Sequence, residues 1–423
     1  MRSHNFLLQL RPLKLTKEHV MKSKTLFYLI LLTFLLTLTT AMHAQTYSVI
    51  HTFTPLEVGS SYAGVAIRGN ALYGTAGYFN GVGVVYQLTR SGPNWLFSKI
   101  AVLPNLYDTN NVVFGPDGHL YGTASTGGAY GGGAVFKLTP QVGPCRDVAC
   151  YWMVNHLHDF GSGTDGSLVD GETLIWDQQG NMYGTTVYGG TYGLGTVYEL
   201  TPSGNGYTEN VIHSFSGSDG ANPYGGLVLD NKGNLFGAAS GYGSGGYGAI
   251  YELTYVPGVG WTEQILYNFQ GADDGYSPYG GLVFDSAGNL YGATGSGGSG
   301  GGGTVFELSP SGNTWTFKLL YSFYGSFGTL RALTMDGAGN LYGTTVYDGI
   351  YGRGNVFRLS NTENGWVYTS LYDFTGGTDG ADPLSNVAID TDGTLYGTTA
   401  RGGDLNCSNS TGAGCGVVWM IKP

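Results

Sequence analysis

The sequence predicts an all-β protein, a seven-bladed β-propeller of four-stranded blades, and three observations carry that expectation. The phrase "LYG" or a near variant recurs seven times, its aromatic falling at Tyr73, Tyr121, Tyr183, Phe236, Tyr291, Tyr342 and Tyr396. Seven copies spaced by about fifty residues fit propeller blades better than the shorter coils of a solenoid. Each copy divides into four short apolar runs between Gly, Asn and Asp turns, and no long helical period appears after residue 45.

The elements follow in chain order. "MKSKTLFYLILLTFLLTLTTAMHAQ" has a basic start at Lys22 and Lys24, then an apolar stretch, then small residues up to Ala44. Residues 1–44 are therefore expected to be an over-extended start plus a secretory signal peptide, with Met21 the expected initiator. Its apolar stretch is short for a membrane span. Residues 45–423 are expected to form a single propeller. The fourth copy shows the pattern of a blade: "GLVLD" (226–230), "NLFGAAS" (234–240), "AIYELT" (249–254) and "EQILYNF" (263–269). The first turn reads "DNKGN" there and "DQQGN", "DSAGN", "DGAGN" and "DTDGT" elsewhere. Asp bonds the backbone two residues on, and Gly takes the left-handed position of a tight hairpin. Asp177, Asp230, Asp285, Asp336 and Asp390 are thus read as turn-formers.

The phase of the repeat carries a further expectation. "YSVIHTF" (Tyr47–Phe53) matches the fourth run of every later copy, whereas "GVVWMIK" (Gly416–Lys422) matches the third. The last blade is expected to be closed by the N-terminal strand, which removes two exposed sheet edges.

Charge narrows the partners. The first 44 residues hold six Lys/Arg and one acid, which leaves 12 basic and 28 acidic residues in the rest. Such a surface disfavours nucleic acid and anionic membrane, and no stable membrane insertion is expected. The four cysteines fall in two close pairs, Cys145/Cys150 in "GPCRDVAC" and Cys407/Cys415 in "CSNSTGAGC". In an exported chain these read as two local disulfides. A four-thiolate metal site is the rival, but it lacks CxxC spacing and joins distant copies.

The phrase "GNLYGTT…GG…G.GTVFELTP" resembles the Gloeo/Verruco (GloVer) tandem repeat of secreted bacterial proteins. The likeness covers nearly all of 46–423, with "NALYGTAGYFNGVGVVYQLT" the most degenerate copy. It implies an exported protein and brings no activity or catalytic residue with it. Family members often carry a C-terminal sorting tail. This chain stops at Pro423 without a hydrophobic tail, so release to the exterior is expected rather than anchoring.

Three groups of residues are candidates for function. His156 and His158 stand two apart on a strand, as a metal pair would. His158, however, shares its column with His51, His213, Tyr267, Tyr321 and Tyr372, which reads as aromatic packing between blades. The loops between a fourth run and the next first run bring Asp165, Asp219, Asp274 and Asp379 to one face, with Asp382 three beyond the last. Carboxylates with nearby carbonyls suit a hard cation such as Ca²⁺, and Asp–Gly turns are the competing reading. No other cofactor is expected. Repeats keep what folding needs, so a ligand site should break the repeat. Before the innermost runs, Gly225 and Gly280 give way to Asn110, Glu172 and Arg331, and the next column carries Asn111 and Asn386. Glu172, Arg331, Asn110, Asn111 and Asn386 are read as the mouth of the central channel. The function expected is a binding or surface-interaction module for a polar ligand such as a glycan. The alternatives are an extracellular enzyme (a glycan lyase or an ester or lactone hydrolase) and a structural coat or matrix component.

Overall fold

Aromatic and β-branched residues between Asp–Gly turns build strands, and in this computed structural model every regular element among the described residues is β. The structure describes residues 45–55, 57, 61–77, 82–141, 151–170, 173–204, 206–271, 273–325, 332–409 and 412–422. Cys145 and Cys150, Glu172, Arg331 and the expected signal peptide lie outside them. Residues 46–422 form one compact unit. In the fourth copy the sheet runs, in sequence order, Val228–Leu229, Leu235–Ala239, Ala249–Val256 and Gly260–Asn268, all antiparallel. The third, fifth and sixth copies repeat this arrangement. The innermost strand keeps only two residues of the five-residue run. Gly226, ahead of it, lies against the third copy, where a Cβ would stand 2.7 Å from Thr173 Oγ1.

The turn chemistry is as the sequence implies. Asp285 Oδ1 accepts from the Ala287 and Asn289 N–H groups at 2.9 Å each, and Oδ2 accepts from the Tyr291 hydroxyl at 3.1 Å. Asp177, Asp336 and Asp390 make the same set with Tyr183, Tyr342 and Tyr396. The tyrosine of the repeated phrase therefore ties the second strand to the hairpin that starts it. Its glycine has a separate cause. A Cβ at Gly237 would overlap the buried Tyr251 ring from the third strand, and Gly343 meets Phe357 in the same way.

All seven fourth strands carry a bulge at the equivalent residue: Ile50, Ile100, Leu157, Ile212, Leu266, Leu320 and Leu371. Side chains four apart on a regular strand share a face, and one inserted residue puts them on opposite faces. Tyr47 can thus stack on Tyr372 of the sixth copy, with ring centroids 3.6 Å apart, while His51 stacks on Phe97 of the first, 4.4 Å away.

Two features join copies in ways the repeat alone does not dictate. The long strand Asn94–Phe114 pairs with Val82–Ser91 through its first half and with Leu120–Gly127 through its second, so the first two copies share a seven-stranded sheet. This connection, "AVLPNLYDTNN", lacks the Asp–Gly loop of later copies. The chain stays extended and bends at Asn105 and Asp108, whose φ angles are 58° and 50°. At the other seam, Thr46–Thr52 pairs with Val417–Lys422 in the sheet that also holds Leu395–Thr398 and Ala388–Ile389. The last sheet is completed by the first strand, as expected. Apolar side chains fill the space between consecutive copies. Phe236 and Leu253, for example, belong to different clusters, one shared with the fifth copy and one with the third. The seventh copy packs on the first, with Val418 and Tyr396 against Val65, Leu72 and Tyr86.

Candidate functional site

Loops set which face carries chemistry. In four copies the connection after the fourth strand bridges to the loop between the second and third strands, at Ser167/Tyr188, Ala221/Gly241, Tyr276/Ser296 and Ala381/Arg401. Both kinds of loop therefore crowd one face. The disulfide Cys407–Cys415 closes one of them, and both cysteines are fully buried beside Phe53 and Val84.

On this face a cavity of about 290 Å³ opens where the first, second and seventh copies meet. Asn110, Asn111 and Asn386 line it with Tyr62, Asp108, Ser125, Asp170 and Leu384. Three of the five mouth residues expected from the sequence are thus brought together. The Asn111 amide donates to Asn386 Oδ1 at 3.2 Å and accepts from the Gly64 N–H at 2.6 Å. Gly64 is needed there, because a Cβ would overlap the Asn386 side chain. Asn110 Nδ2 donates to the Val169 carbonyl at 2.7 Å and to Thr123 Oγ1 at 3.1 Å. These bonds hold the amides in place. They leave Asn110 Oδ1 and Asn386 Nδ2 without a protein partner among the described residues. Tyr62 is 41% exposed at the rim. The opposite face carries wider grooves, one of about 630 Å³ between the fourth and fifth copies, lined by Asp230, Asp285 and Trp315. Those residues belong to the repeat.

Asp165, Asp274 and Asp379 each bond within their own loop and the strand before it. Asp274 accepts from the Gln270 N–H at 2.8 Å and the Tyr267 hydroxyl at 2.9 Å, and Asp379 does the same with Thr375 and Tyr372. Asp165 accepts from the Gly161 N–H and lies 3.3 Å from His158 Nε2. Asp382 is buried and pairs with Arg401 at 2.9 Å, and burial still pushes its carboxyl above the usual range. The bulge at Leu157 separates the two histidines, and His156 turns to Asp159 at 2.8 Å.

The column of His158 is an inter-copy slot. Tyr267 stacks on Phe317 and Tyr321 on Tyr368, with centroids 4.4 and 4.6 Å apart. Three slots break the pattern: one is filled by Ala101 and Val154, and two hold carboxylates. In those two, Glu209 and Glu263 hold the equivalent positions on the next strand, Glu209 near Asp165 and Glu263 near His213 and Asp219. Among the described residues, His213, Asp219 and Glu263 are the one set of three His, Cys, Asp or Glu whose ligand atoms all lie within 4.8 Å of one another. Burial, then the nearby Asp219 charge, pushes the Glu263 carboxyl up to about 8, and burial lowers the His213 imidazole.

A model of the Gloeobacter/Verrucomicrobia repeat matches residues 34–209 and 170–411. The chain belongs to that repeat family. No curated protein matches this Gloeobacter/Verrucomicrobia repeat protein. Its fold is similar to a PL25 polysaccharide lyase, an ulvan lyase, at 12% identity over 84% of this chain and 89% of that one, with a TM-score of 0.51. An ancestral GH74 enzyme aligns at 13% identity over 89% of this chain and 51% of that one, with a TM-score of 0.51. A gluconolactonase from Xanthomonas campestris aligns at 12% identity over 75% and 86%, with a TM-score of 0.43. The repeat protein thus has a β-propeller-like fold, and its chemistry must be read from its own residues. No described helix is long and apolar enough to cross a membrane.

Sequence reading of this repeat protein missed Asp108, Ser125 and Asp170 in the cavity, because they reach it from a bend in Asn94–Phe114, from Leu120–Gly127 and from the connection after Met153–Asp159. It also missed Glu209 and Glu263. Comparing the residues four before the His/Tyr column would have found them, since Tyr47, Phe97, Phe317 and Tyr368 are aromatic there.

Proposed function

We propose that the chain is a secreted, closed seven-bladed β-propeller whose loop-bearing mouth binds a neutral, hydroxyl-rich ligand such as a glycan. The observation that carries this reading is the cavity at the meeting of three copies, where the repeat is broken by amides and carboxylates beside an exposed tyrosine ring. Sugars are recognised by an aromatic surface plus a few fixed hydrogen-bonding groups, and Asn110, Asn386 and Asp108 are held by backbone and neighbours. Asp108 and Asp170 line the mouth, and no described cation does, which favours a neutral ligand over a polyanion. Glu172 and Arg331 join the proposal through their place in the Asn110 column.

Seven bulges, seven copies of the core phrase and packing of the last copy on the first support the closed ring. The leader-like segment and a disulfide support export. Calorimetric titration against neutral and acidic oligosaccharides tests the site. Asn110→Ala combined with Asp108→Ala should weaken neutral-glycan binding by roughly tenfold, as expected for lost oriented hydrogen bonds. Trp315→Ala, in the groove of the opposite face, should leave it unchanged. The reverse outcome rejects the mouth.

A further inference from the structure

We propose that His213, Asp219 and Glu263 hold a divalent transition-metal ion that ties the third copy to the fourth. His213 lies on Gly206–Ser214, Asp219 in the loop that follows, and Glu263 on Gly260–Asn268 of the neighbouring sheet. His213 Nε2 stands 3.1 Å from Asp219 Oδ2 and 3.7 Å from Glu263 Oε1. Ligands bound at about 2.0–2.1 Å in tetrahedral geometry sit roughly 3.3–3.4 Å apart, so these two distances bracket the required edge.

Two further observations point to a cation. Asp219 Oδ1 accepts from the Ser216 N–H at 2.8 Å and the Ser216 hydroxyl at 3.0 Å, which orients Oδ2 toward the imidazole. Glu263 Oε1 is buried and has no hydrogen-bond partner. A buried, unsatisfied carboxylate oxygen is an expensive feature to keep, and a metal ion would satisfy it. The slot is also where the repeat is broken. Four other slots stack aromatic rings. Here that stack is given up for two carboxylates, which can both ionise at low cost only when something positive lies between them.

One imidazole with two carboxylates suits Zn²⁺, Co²⁺ or Mn²⁺ better than Ca²⁺, which takes six or more oxygens. Three protein ligands leave a position for water. His158, Asp165 and Glu209 repeat the residue types one copy earlier, but their ligand atoms do not gather within the same radius among the described residues.

The test is titration of the metal-stripped chain with Co²⁺ and Zn²⁺, read by the d–d absorption of Co²⁺ and by melting temperature. The unaltered chain should take up a single equivalent of Co²⁺ with tetrahedral absorption, release it to Zn²⁺, and melt higher with Zn²⁺. The double variant His213→Tyr with Glu263→Phe rebuilds the Tyr267/Phe317 stack. It should melt like the metal-free parent and gain nothing from Zn²⁺. Should that variant fail to fold, Glu263→Gln keeps the volume and should weaken Zn²⁺ binding by roughly tenfold or more. Unchanged metal uptake in these variants, or no Co²⁺ absorption and no Zn²⁺ shift in the parent, overturns the proposal.

Discussion

Glu209 is a residue whose cost of burial should be visible in solution. Burial, then the Asp165 charge, raises its carboxyl from the ordinary 4.5 to about 7, and its Oε1 is buried without a hydrogen-bond partner. The folded state therefore favours the protonated form. Its contribution to stability is greatest below about pH 4.5, declines as pH rises toward about 7, and is constant beyond. Glu209→Gln should remove that decline, so the variant should match the parent in acid and exceed it at pH 8 in urea denaturation. A variant less stable than the parent at pH 8 would show that the charge is compensated. Residues that act within their own turn, such as Asp285, were legible in the sequence because their partners lie two to six positions away. Glu209 was not, since Asp165 reaches it from the loop that follows a strand of the preceding copy.

At the scale of elements, the strand Thr46–Thr52 is the least typical, because it completes a sheet whose other members lie more than 330 residues later. It also places Phe53 in the core shared by the last and first copies, and the Tyr47 hydroxyl donates to the Asp379 carbonyl at 2.5 Å. Removing 46–53 strips the Val417–Lys422 edge and empties a phenylalanine site, a loss of about 3–5 kcal/mol for the ring alone. The melting temperature should fall sharply and the product should self-associate. An unchanged melt in scanning calorimetry would contradict the pairing. This pairing was readable from the phase of the repeat. The bulges were not, since an extra aliphatic residue in an apolar run leaves no pattern to detect. The long strand Asn94–Phe114 was missed for a related reason: the absence of a turn signal was not taken as continuity.

For the whole molecule, the seam between the last and first copies decides whether residues 46–422 behave as one cooperative unit. The Cys407–Cys415 disulfide is buried at that seam. It closes a short loop, so losing it should lower global stability by about 2–3 kcal/mol. Cys407→Ala with Cys415→Ala should shift the urea midpoint accordingly while keeping a single transition. Two transitions would mean that the seam opens before the rest.

The sequence by itself determined the repeat, the four-run pattern, the turn chemistry, the phase that returns the first strand to the last sheet, and family membership. Each is encoded in residues close together in the chain or in exact recurrence of a phrase. Only the tertiary structure decided that Asn110, Asn111 and Asn386 share a cavity, and that His213 meets Glu263 across a slot that elsewhere holds stacked rings. The reason is geometric. Those contacts run between copies, and their facing is reset by a bulge in every fourth strand that no turn or polar residue marks in the sequence.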